Sequence, residues 1–453
     1  MNKMKRVNVR EIIHNIVYRI EKDGGFSHLL INHEVKKHQL SDEDKRLLTN
    51  IVYGTTQYRL TLDYYLQPFI KGKKKIDDWV MTLLRISLYQ MIFLDRIPIH
   101  AVIHEAVEIA KKKGHRGIGS FVNGVLRNIQ RKGFPSISEI KDIKKRLSIE
   151  TSHPTWLINR WLKDYGNEIT EKIAQINQQE KPQSIRIQPL KTTREEIMKK
   201  LQEINMEVEK SFLSEQGVVI KKGNIFDTAL FDEGYVTVQD QTSMLVSELL
   251  QIEEDMIVLD ACSAPGGKAT HIAEKLANTG KVYAFDIHKN KTNLIKNNAK
   301  RLGLTNIVVD EADARKLKDK FDENTFDRIL LDVPCSGFGV IRSKPDIKYN
   351  KTEKDIYNLA NIQYDILTAV IPLLKEKGKL IYSTCTLTKA ENEHIIKRFL
   401  TEHDEYEVDE HFFEQLPPEL KSSLGVTEYG IQIFPHTFNT DGFFISRIKK
   451  KTK

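Results

Sequence analysis

The chain has 453 residues, 40% of them hydrophobic, and a mean hydropathy of −0.42. This length exceeds what one ordinary hydrophobic core needs, so we expect two or three globular domains. No apolar run approaches the roughly 18 residues that span a bilayer, and the N-terminus lacks the long apolar core of a secretory signal. We therefore expect a cytoplasmic protein with no membrane partner.

The net charge of +8 is unevenly distributed along the chain. Residues 1–150 contain 28 Lys and Arg against 16 Asp and Glu, a net charge of +12, whereas the remaining residues contain 42 against 46, a net charge of −4. A basic first third on a nearly neutral body is typical of nucleic-acid binding. A basic surface that serves only solubility is the alternative.

The three cysteines are Cys262, Cys335 and Cys385. Their number is odd and their spacing is not that of metal ligands, so we expect no structural metal. Three such cysteines suit a reducing compartment and indicate thiol chemistry rather than a disulfide framework.

The first 150 residues have helical periodicity. Apolar residues recur at helical spacing between Val9 and Ile20 and form one face. Further helices are predicted at residues 79–94, 100–112 and 121–131. Basic runs at residues 71–75 and 111–116 fall between these helices, where they are either solvated or available for phosphate contacts.

Two segments of this helical region, Pro98–Ala110 and Phe121–Asn128, resemble the NusB family of small helical RNA-binding domains. The resemblance covers about the first 140 residues. It implies an all-α domain that contacts RNA.

Residues 150–235 have a different pattern. A helix carries Trp156 and Trp161, which we interpret as core residues rather than platforms for base stacking. Alternating strands at 184–188 and 217–221 flank a helix at 193–203, which predicts a small α+β module of the RRM type.

The next region begins with the short apolar strand Met256–Leu259, which Asp260 ends. A small-residue turn, Ala264–Lys268, follows and leads into a helix. This geometry brings backbone N–H groups and a helix N-terminus against a nucleotide-like ligand. A phosphate-binding P-loop is excluded, because Cys262 stands where its first glycine belongs and Ala269 where its Ser or Thr belongs.

Four further strands are predicted at residues 281–286, 307–313, 326–332 and 379–384, followed by an antiparallel hairpin near the C-terminus. Three of them end on acids: Asp286, suited to a ribose; Asp313, suited to an adenine amino group; and Asp332. The pattern predicts a doubly wound, Rossmann-like α/β domain with a nucleoside cofactor. The predicted domains are residues 1–148, 149–234 and 235–453.

Three motifs, Asp260–Lys268, Asp332–Gly337 and Ser383–Cys385, together resemble the Nol1/Nop2/Sun RNA cytosine-C5 methyltransferases. The resemblance implies S-adenosylmethionine as cofactor, 16S rRNA as partner and 5-methylcytosine as product, with the cytosine at position 967 as target. We expect a monomer. The same chemistry on tRNA or another RNA, and a non-catalytic RNA-binding assembly factor, are the alternatives.

The resemblance also implies a role for each motif residue. Cys385 is the nucleophile, Cys335 helps to remove the carbon-5 proton and release the product, Asp332 contacts cytosine N3, and Lys268 orients Asp332. The residues expected to bind the cofactor are Cys262, Ser263, Ala264, Pro265, Gly266, Gly267, Lys268, Asp286, Asp313 and Asp332. If the strands before the two catalytic cysteines are neighbours, about 5 Å separates them, so one base can meet both thiols.

Overall fold

The computed structural model of the protein describes residues 8–72 and 75–451. Lys73 and Lys74, in the first predicted basic run, lie outside the described residues. The chain forms two compact units. The first runs to Gln179 and also contains Ile341–Thr352, and the second consists of Glu180–Val340 and Glu353–Lys453. The domain boundaries drawn from the sequence stay predictions.

The first unit is helical, as predicted. Its first helix begins after Asn8, whose side chain accepts a hydrogen bond from the Glu11 N–H, and ends at Gly24 with φ +66°. The apolar face of this helix is buried in the core of the unit. The helices are α1 (Val9–Asp23), α2 (Ser27–His38), α3 (Asp42–Gln57), α4 (Arg59–Ile70), α5 (Asp78–Phe93), α6 (Ile99–Lys113), α7 (Arg116–Lys132), α8 (Ile143–Glu150) and α9 (Thr155–Ile176).

Helix α9 carries the two tryptophans of the sequence pattern. Trp161 is fully buried, which confirms its interpretation as a core residue, and Trp156 is half-buried. The backbone leaves helical geometry at Gly166, where φ is +77°, so α9 is two helical segments joined by a kink.

A four-stranded antiparallel sheet opens the second unit. Its elements are β1 (Gln183–Ile187), α10 (Arg194–Glu203), β2 (Glu207–Lys210), β3 (Gly217–Lys222) and β4 (Val236–Val238), with strand order β2-β3-β1-β4. A capping box between Thr193 and Glu196 starts α10. Strand β2 was not predicted, because its mostly exposed charged residues lack an apolar alternation.

The larger sheet has the strand order β11-β12-β13-β9-β8-β5-β6-β7, with β10 paired to β13. Its strands are β5 (Ile257–Asp260), β6 (Lys281–Asp286), β7 (Ile307–Glu311), β8 (Phe326–Asp332), β9 (Leu374–Thr384), β10 (Tyr406–Val408), β11 (Val426–Thr427), β12 (Gly430–Ile433) and β13 (Phe443–Lys450). Strands β5 to β9 are parallel, and β10 to β13 add antiparallel pairs. The Rossmann-like architecture is thereby confirmed, with a mixed sheet. Strand β7 ends two residues before the predicted Asp313, and β9 begins five residues earlier than predicted.

The helices of this part of the chain are α11 (Gln241–Leu249), α12 (Gly267–Lys275), α13 (Lys289–Leu302), α14 (Ile347–Asn350), α15 (Glu353–Val370), α16 (Glu393–Glu402), α17 (His411–Glu414), α18 (Pro418–Lys421) and α19 (Pro435–Phe438). Helix α14 belongs to the first unit. Within residues 8–72 and 75–451, no helix is long and apolar enough to cross a membrane.

Candidate active site

The connection order of the parallel strands creates a crevice at one edge of the larger sheet. From β5 the chain builds β6 and β7 on one side and then returns to build β8 and β9 on the other. Ligands of open α/β sheets bind where this reversal occurs, outside the carboxyl ends of the strands. Asp260 ends β5 and Asp332 ends the adjacent strand β8, so both carboxylates lie at this reversal.

The turn after β5 has a backbone conformation at its centre that favours glycine. Gly266 has φ +97°, and a Cβ atom there would lie 3.0 Å from the Ile295 Cα. The left-handed conformation and this close backbone approach would both strain the turn if an L side chain replaced glycine. Helix α12 begins at the next residue, so its N-terminal N–H groups are at the crevice.

The other residues predicted to bind a cofactor in this turn lie beside it. Ser263 is buried and its N–H donates to the Phe285 carbonyl at 2.7 Å, which ties the turn to β6. Cys262 and Ala264 are half-buried, and Pro265 is exposed after a cis peptide bond. Burial raises the pKa of the Cys262 thiol well above its usual range, and nearby carboxylates add to the rise. Cys262 is therefore a neutral thiol.

A buried arginine of the small sheet, which sequence analysis missed, donates hydrogen bonds to the glycine turn and to the first turn of helix α12. The Arg186 guanidinium donates to the Gly267 carbonyl at 2.7 Å and to the Thr270 hydroxyl at 3.0 Å. It also forms an ion pair with Glu274 at 2.8 Å, in which both side chains are fully buried. Nothing in the isolated β1 segment distinguishes this arginine from an outward-facing one.

The two other strand-end acids have different environments. Asp286 is half-buried and accepts a hydrogen bond from the His288 N–H at 2.9 Å. Asp313 lies beyond the end of β7, where it accepts from the Arg315 N–H and forms an ion pair with the Arg315 guanidinium at 2.6 Å. That hydrogen-bonded pair lowers the pKa of Asp313. Any ligand of Asp313 must share it with Arg315.

Asp260 is the second residue that sequence analysis missed, since it was interpreted only as the end of a strand. It is 1% exposed, and its nearby donors, the Ser263 hydroxyl and the Cys262 N–H, form no hydrogen bond of normal geometry with its carboxylate. Burial raises the pKa of Asp260 to about 7, and the Asp332 carboxylate adds to the rise, while these two donors oppose it. A buried carboxyl group with such weak partners is costly, and a cationic or hydrogen-bond-donating ligand would relieve that cost.

Lys268 and Asp332 form an ion pair within the crevice. The Lys268 Nζ lies 2.6 Å from the Asp332 Oδ2, and the Ser383 hydroxyl donates to Oδ1 of the same carboxylate at 3.0 Å. Burial alone would lower the pKa of Lys268, but the Asp332 charge outweighs it and raises the pKa overall. Lys268 therefore stays a cation and fixes the position of the Asp332 carboxylate.

The two strand-end thiols face each other. The Sγ atoms of Cys335, after β8, and Cys385, after β9, are 3.4 Å apart, because their strands are parallel neighbours with Asp332 opposite Ser383. The hydrogen bond to the Cys385 sulfur, burial and nearby negative charges raise the pKa of the Cys335 thiol well above its usual range. Cys335 is thus a protonated hydrogen-bond partner of Cys385 in the resting protein.

These geometric features agree with what comparison with known proteins finds. Residues 247–449 match the family described as 16S rRNA methyltransferase RsmB/F, residues 7–131 match the NusB family, and residues 153–226 match the ferredoxin-like domain of RsmF/B-like methyltransferases. The chain is 48% identical to the probable ribosomal RNA small subunit methyltransferase B of Bacillus subtilis, over 99% of this chain and 100% of that protein. The chain belongs to the RsmB/F methyltransferase family.

Further relatives cover the chain equally well. The probable ribosomal RNA small subunit methyltransferase B of Synechocystis is 34% identical, over 98% of this chain and 100% of that protein. The crystal structure of PH0851 superimposes with a TM-score of 0.81 at 28% identity, and covers 98% of this chain and 99% of its own. The resemblances stated from the sequence, to NusB domains and to RNA methyltransferases, are thus confirmed at the level of the family and fold.

Proposed function

We propose that this protein methylates carbon 5 of a cytosine in 16S rRNA, using S-adenosylmethionine as methyl donor, and that the target is the cytosine at position 967. The observation that carries the proposal is the pair of thiols 3.4 Å apart beside the Lys268–Asp332 ion pair. A cytosine-C5 methyltransferase needs one thiol to activate the ring and a second group to remove the carbon-5 proton, and the crevice supplies both.

The residues of the crevice fit S-adenosylmethionine. Asp260 offers a buried carboxyl group whose nearby donors, the Ser263 hydroxyl and the Cys262 N–H, form no hydrogen bond of normal geometry, in keeping with a cationic ligand. Asp286 is the acid suited to a ribose. When bound, this cofactor supplies an electrophilic methyl group. Cys262 to Lys268, with Asp286, Asp313 and Asp332, would hold it.

Cys385 acts on the base. Carbon 5 of cytosine is too weak a nucleophile to take a methyl group unaided. When the Cys385 thiolate adds to carbon 6, the Sγ–C6 bond forms and the ring becomes an enamine whose carbon 5 is nucleophilic. The Asp332 carboxylate, held by Lys268 and Ser383, takes up the proton that the Cys385 thiol releases and shares it with N3, which balances the electron density that the addition places in the ring.

Cys335 releases the product. As a thiolate it takes the proton from carbon 5, the electrons of that C–H bond restore the C5–C6 double bond, and the Sγ–C6 bond breaks with its electron pair returning to Cys385. The proton then passes to solvent. A raised pKa gives Cys335 a high affinity for a proton, which suits a group that acts as a base rather than as the nucleophile.

Substitution of the two thiols separates these steps. Cys385→Ala should neither methylate RNA nor form a covalent adduct. Cys335→Ala should accumulate a protein–RNA adduct that survives denaturing gel electrophoresis and disappears in the double variant. An adduct formed by Cys385→Ala and absent with Cys335→Ala would reverse the two roles. No adduct with any variant, together with no methylation by the wild type, would instead favour a non-catalytic assembly factor.

Bisulfite mapping of total RNA from cells with and without the protein identifies the substrate. We expect one cytosine of 16S rRNA to lose its protection when the protein is absent, and to regain it with the wild-type gene but not with Cys385→Ala. Loss of protection in tRNA alone would keep the chemistry and change the substrate. The net charge of +12 in residues 1–150 supports a structured RNA as partner.

A further inference from the structure

The fully buried carboxylate of Glu391 accepts hydrogen bonds from the residue that follows Cys335. Glu391 is 0% exposed and follows Cys385 by six residues, in a short 3₁₀ turn. Its Oε1 accepts hydrogen bonds from the Ser336 N–H at 2.8 Å and from the Gln363 side-chain amide at 3.1 Å. Its Oε2 lies 2.6 Å from the Ser336 hydroxyl and 2.7 Å from the Thr388 hydroxyl.

These contacts fix the peptide groups on both sides of Cys335. The Ser336 N–H, directly after the cysteine, is held by Glu391, and the Pro334 carbonyl, directly before it, accepts from the Gln363 side-chain amide at 2.9 Å. The same Gln363 amide donates to Glu391, so both anchors belong to one network. The backbone of Cys335 is therefore held at both ends by this cluster.

The cluster also reaches the turn that carries Cys385. The Ser336 hydroxyl is 2.6 Å from the Thr386 hydroxyl, and the Gly339 N–H donates to the Cys385 carbonyl at 2.9 Å. Glu391 lies in the segment that follows Cys385, and its backbone carbonyl accepts a hydrogen bond from the Tyr382 hydroxyl at 2.7 Å. One carboxylate thus links the two thiol-bearing turns, which are distant in sequence.

We propose that Glu391 is a positioning residue that holds Cys335 where it can take the carbon-5 proton, and so controls product release. The inference rests on the proposed function, because it assigns Glu391 to one step of that reaction. Among the described residues, Glu391 makes no hydrogen bond to the sulfur of either cysteine and acts through the backbone of Ser336. It acts on Cys335 rather than on the base.

The negative charge of Glu391 also affects the protonation of Cys335. Its negative charge is one of the causes that raise the pKa of Cys335, after the hydrogen bond to Cys385 and burial. Burial raises the pKa of Glu391, while the donors from Ser336, Thr388 and Gln363 oppose the rise. Because Cys335 must lose its own proton before it accepts another, release should become faster as pH rises towards the pKa of Cys335.

The test measures release directly, as the decay of the protein–RNA adduct after a single turnover of the full-length enzyme. Glu391→Ala should slow release by on the order of 100-fold, the cost of a misplaced catalytic group, while adduct formation persists. Glu391→Gln keeps an acceptor for the Ser336 N–H but removes the charge. It should restore much of the release rate and shift the pH profile of release to lower pH, because Cys335 then loses its proton more readily.

Two further variants make the test specific. In a Cys335→Ala background, Glu391→Ala should change neither formation nor decay of the adduct, because a positioning residue has no effect once its target is gone. Thr388→Val is the matched control: it removes a donor to Oε2 of the same carboxylate but leaves the hydrogen bond from the Ser336 N–H to Oε1 in place, so release should stay within a few-fold of the wild type. If Glu391→Ala fails to fold, the pH profile of Glu391→Gln decides alone.

The outcomes separate the inference from the proposed function. If Cys335→Ala traps no adduct, the proposed chemistry fails and the role of Glu391 fails with it. If Cys335→Ala traps the adduct but the Glu391 variants lose adduct formation first, or if Glu391→Gln leaves the pH profile of release unchanged, the inference is wrong and the proposed function stands. Additive effects of Glu391→Ala and Cys335→Ala would likewise reject it.

Discussion

The two halves of the crevice differ in how their polar groups are satisfied. In the thiol half, at the ends of β8 and β9, Glu391 and its partners bond to one another within the protein. In the cofactor half, at the ends of β5 and β6, the buried Asp260 carboxylate and the Ser263 hydroxyl lie close together but form no hydrogen bond of normal geometry, with each other or with another described residue. Both halves belong to one sheet, so the difference does not come from the fold alone.

This difference indicates how each half performs its part. The thiols must keep a fixed geometry through addition and release, and a closed hydrogen-bond network supplies that rigidity before any ligand arrives. The cofactor half instead retains buried polar groups with only weak hydrogen bonds, which lowers stability until a ligand satisfies them. Asp332 lies where the halves meet, since it accepts from Lys268 on α12 and from Ser383 on β9.

Asp332→Asn should have the largest effect, because it breaks the link between the halves. It removes the negative charge that balances Lys268 and the carboxylate that carries a proton to cytosine N3. We expect methylation to fall by about 10⁴-fold, the upper range for a general acid, and the free energy of unfolding to fall by about 3 kcal/mol because a largely buried lysine loses its partner. Single-turnover methylation and urea denaturation measure the two effects. A variant that methylates within tenfold of the wild type would remove Asp332 from the reaction.

The sequence predicted much of this arrangement, because strand-end positions can be read from apolar runs. The apolar run before Asp260, the acids at the ends of later strands and the cysteines after β8 and β9 define the sheet edge without any coordinates. The structure adds what periodicity does not contain: the order of the strands, which brings Cys335 and Cys385 to 3.4 Å.

Two residues that sequence analysis missed, Arg186 and Glu391, have hydrogen-bond partners that are remote in the chain. Arg186 bonds to residues more than 80 positions away, and Glu391 bonds to Ser336 across 55. A buried charged residue has no local pattern, since its neighbours in sequence resemble those of an exposed one. Asp313 shows the converse, because the sequence placed it at a strand end but gave no sign of the ion pair with Arg315.

Asp260→Asn tests how much the buried carboxyl group of the cofactor half lowers the free energy of unfolding. Because burial, with the Asp332 charge, raises the pKa of Asp260 from 3.8 to about 7, the folded protein between pH 4 and 7 holds a proton that the unfolded chain has released. Its contribution to stability is fully present below pH 4 and is lost as pH rises towards 7, by about 4 kcal/mol in total. Asparagine does not titrate, so the variant should gain stability relative to the wild type as pH rises.

Urea denaturation of both proteins at several pH values from 4 to 8, without cofactor, measures that difference. Titration of groups that do not interact with Asp260 affects both proteins alike, so the difference between their free energies of unfolding reports on Asp260 and its charged neighbours. A difference that is constant across this range would mean that the carboxyl group is satisfied in the folded protein. The contrast between the two halves would then disappear.

Asp286→Ala should have the smallest effect and tests which acid of the cofactor half meets the ligand. Asp286 is half-buried at the end of β6 and accepts one hydrogen bond, from the His288 N–H, which leaves capacity for ribose hydroxyls. Losing such hydrogen bonds should weaken S-adenosylmethionine binding about tenfold, as measured by calorimetric titration. Glu311→Ala is the control. This exposed acid lies opposite Asp286 on the neighbouring strand β7, and its loss removes one negative charge, as the loss of Asp286 does. Equal weakening by both variants would show that the net negative charge of the edge, rather than a hydrogen bond donated by the ribose to Asp286, attracts the cofactor. Weakening by Asp286→Ala alone would instead place the ribose at β6 and leave Asp260, one strand away, as the carboxyl group available to the cationic part of the ligand.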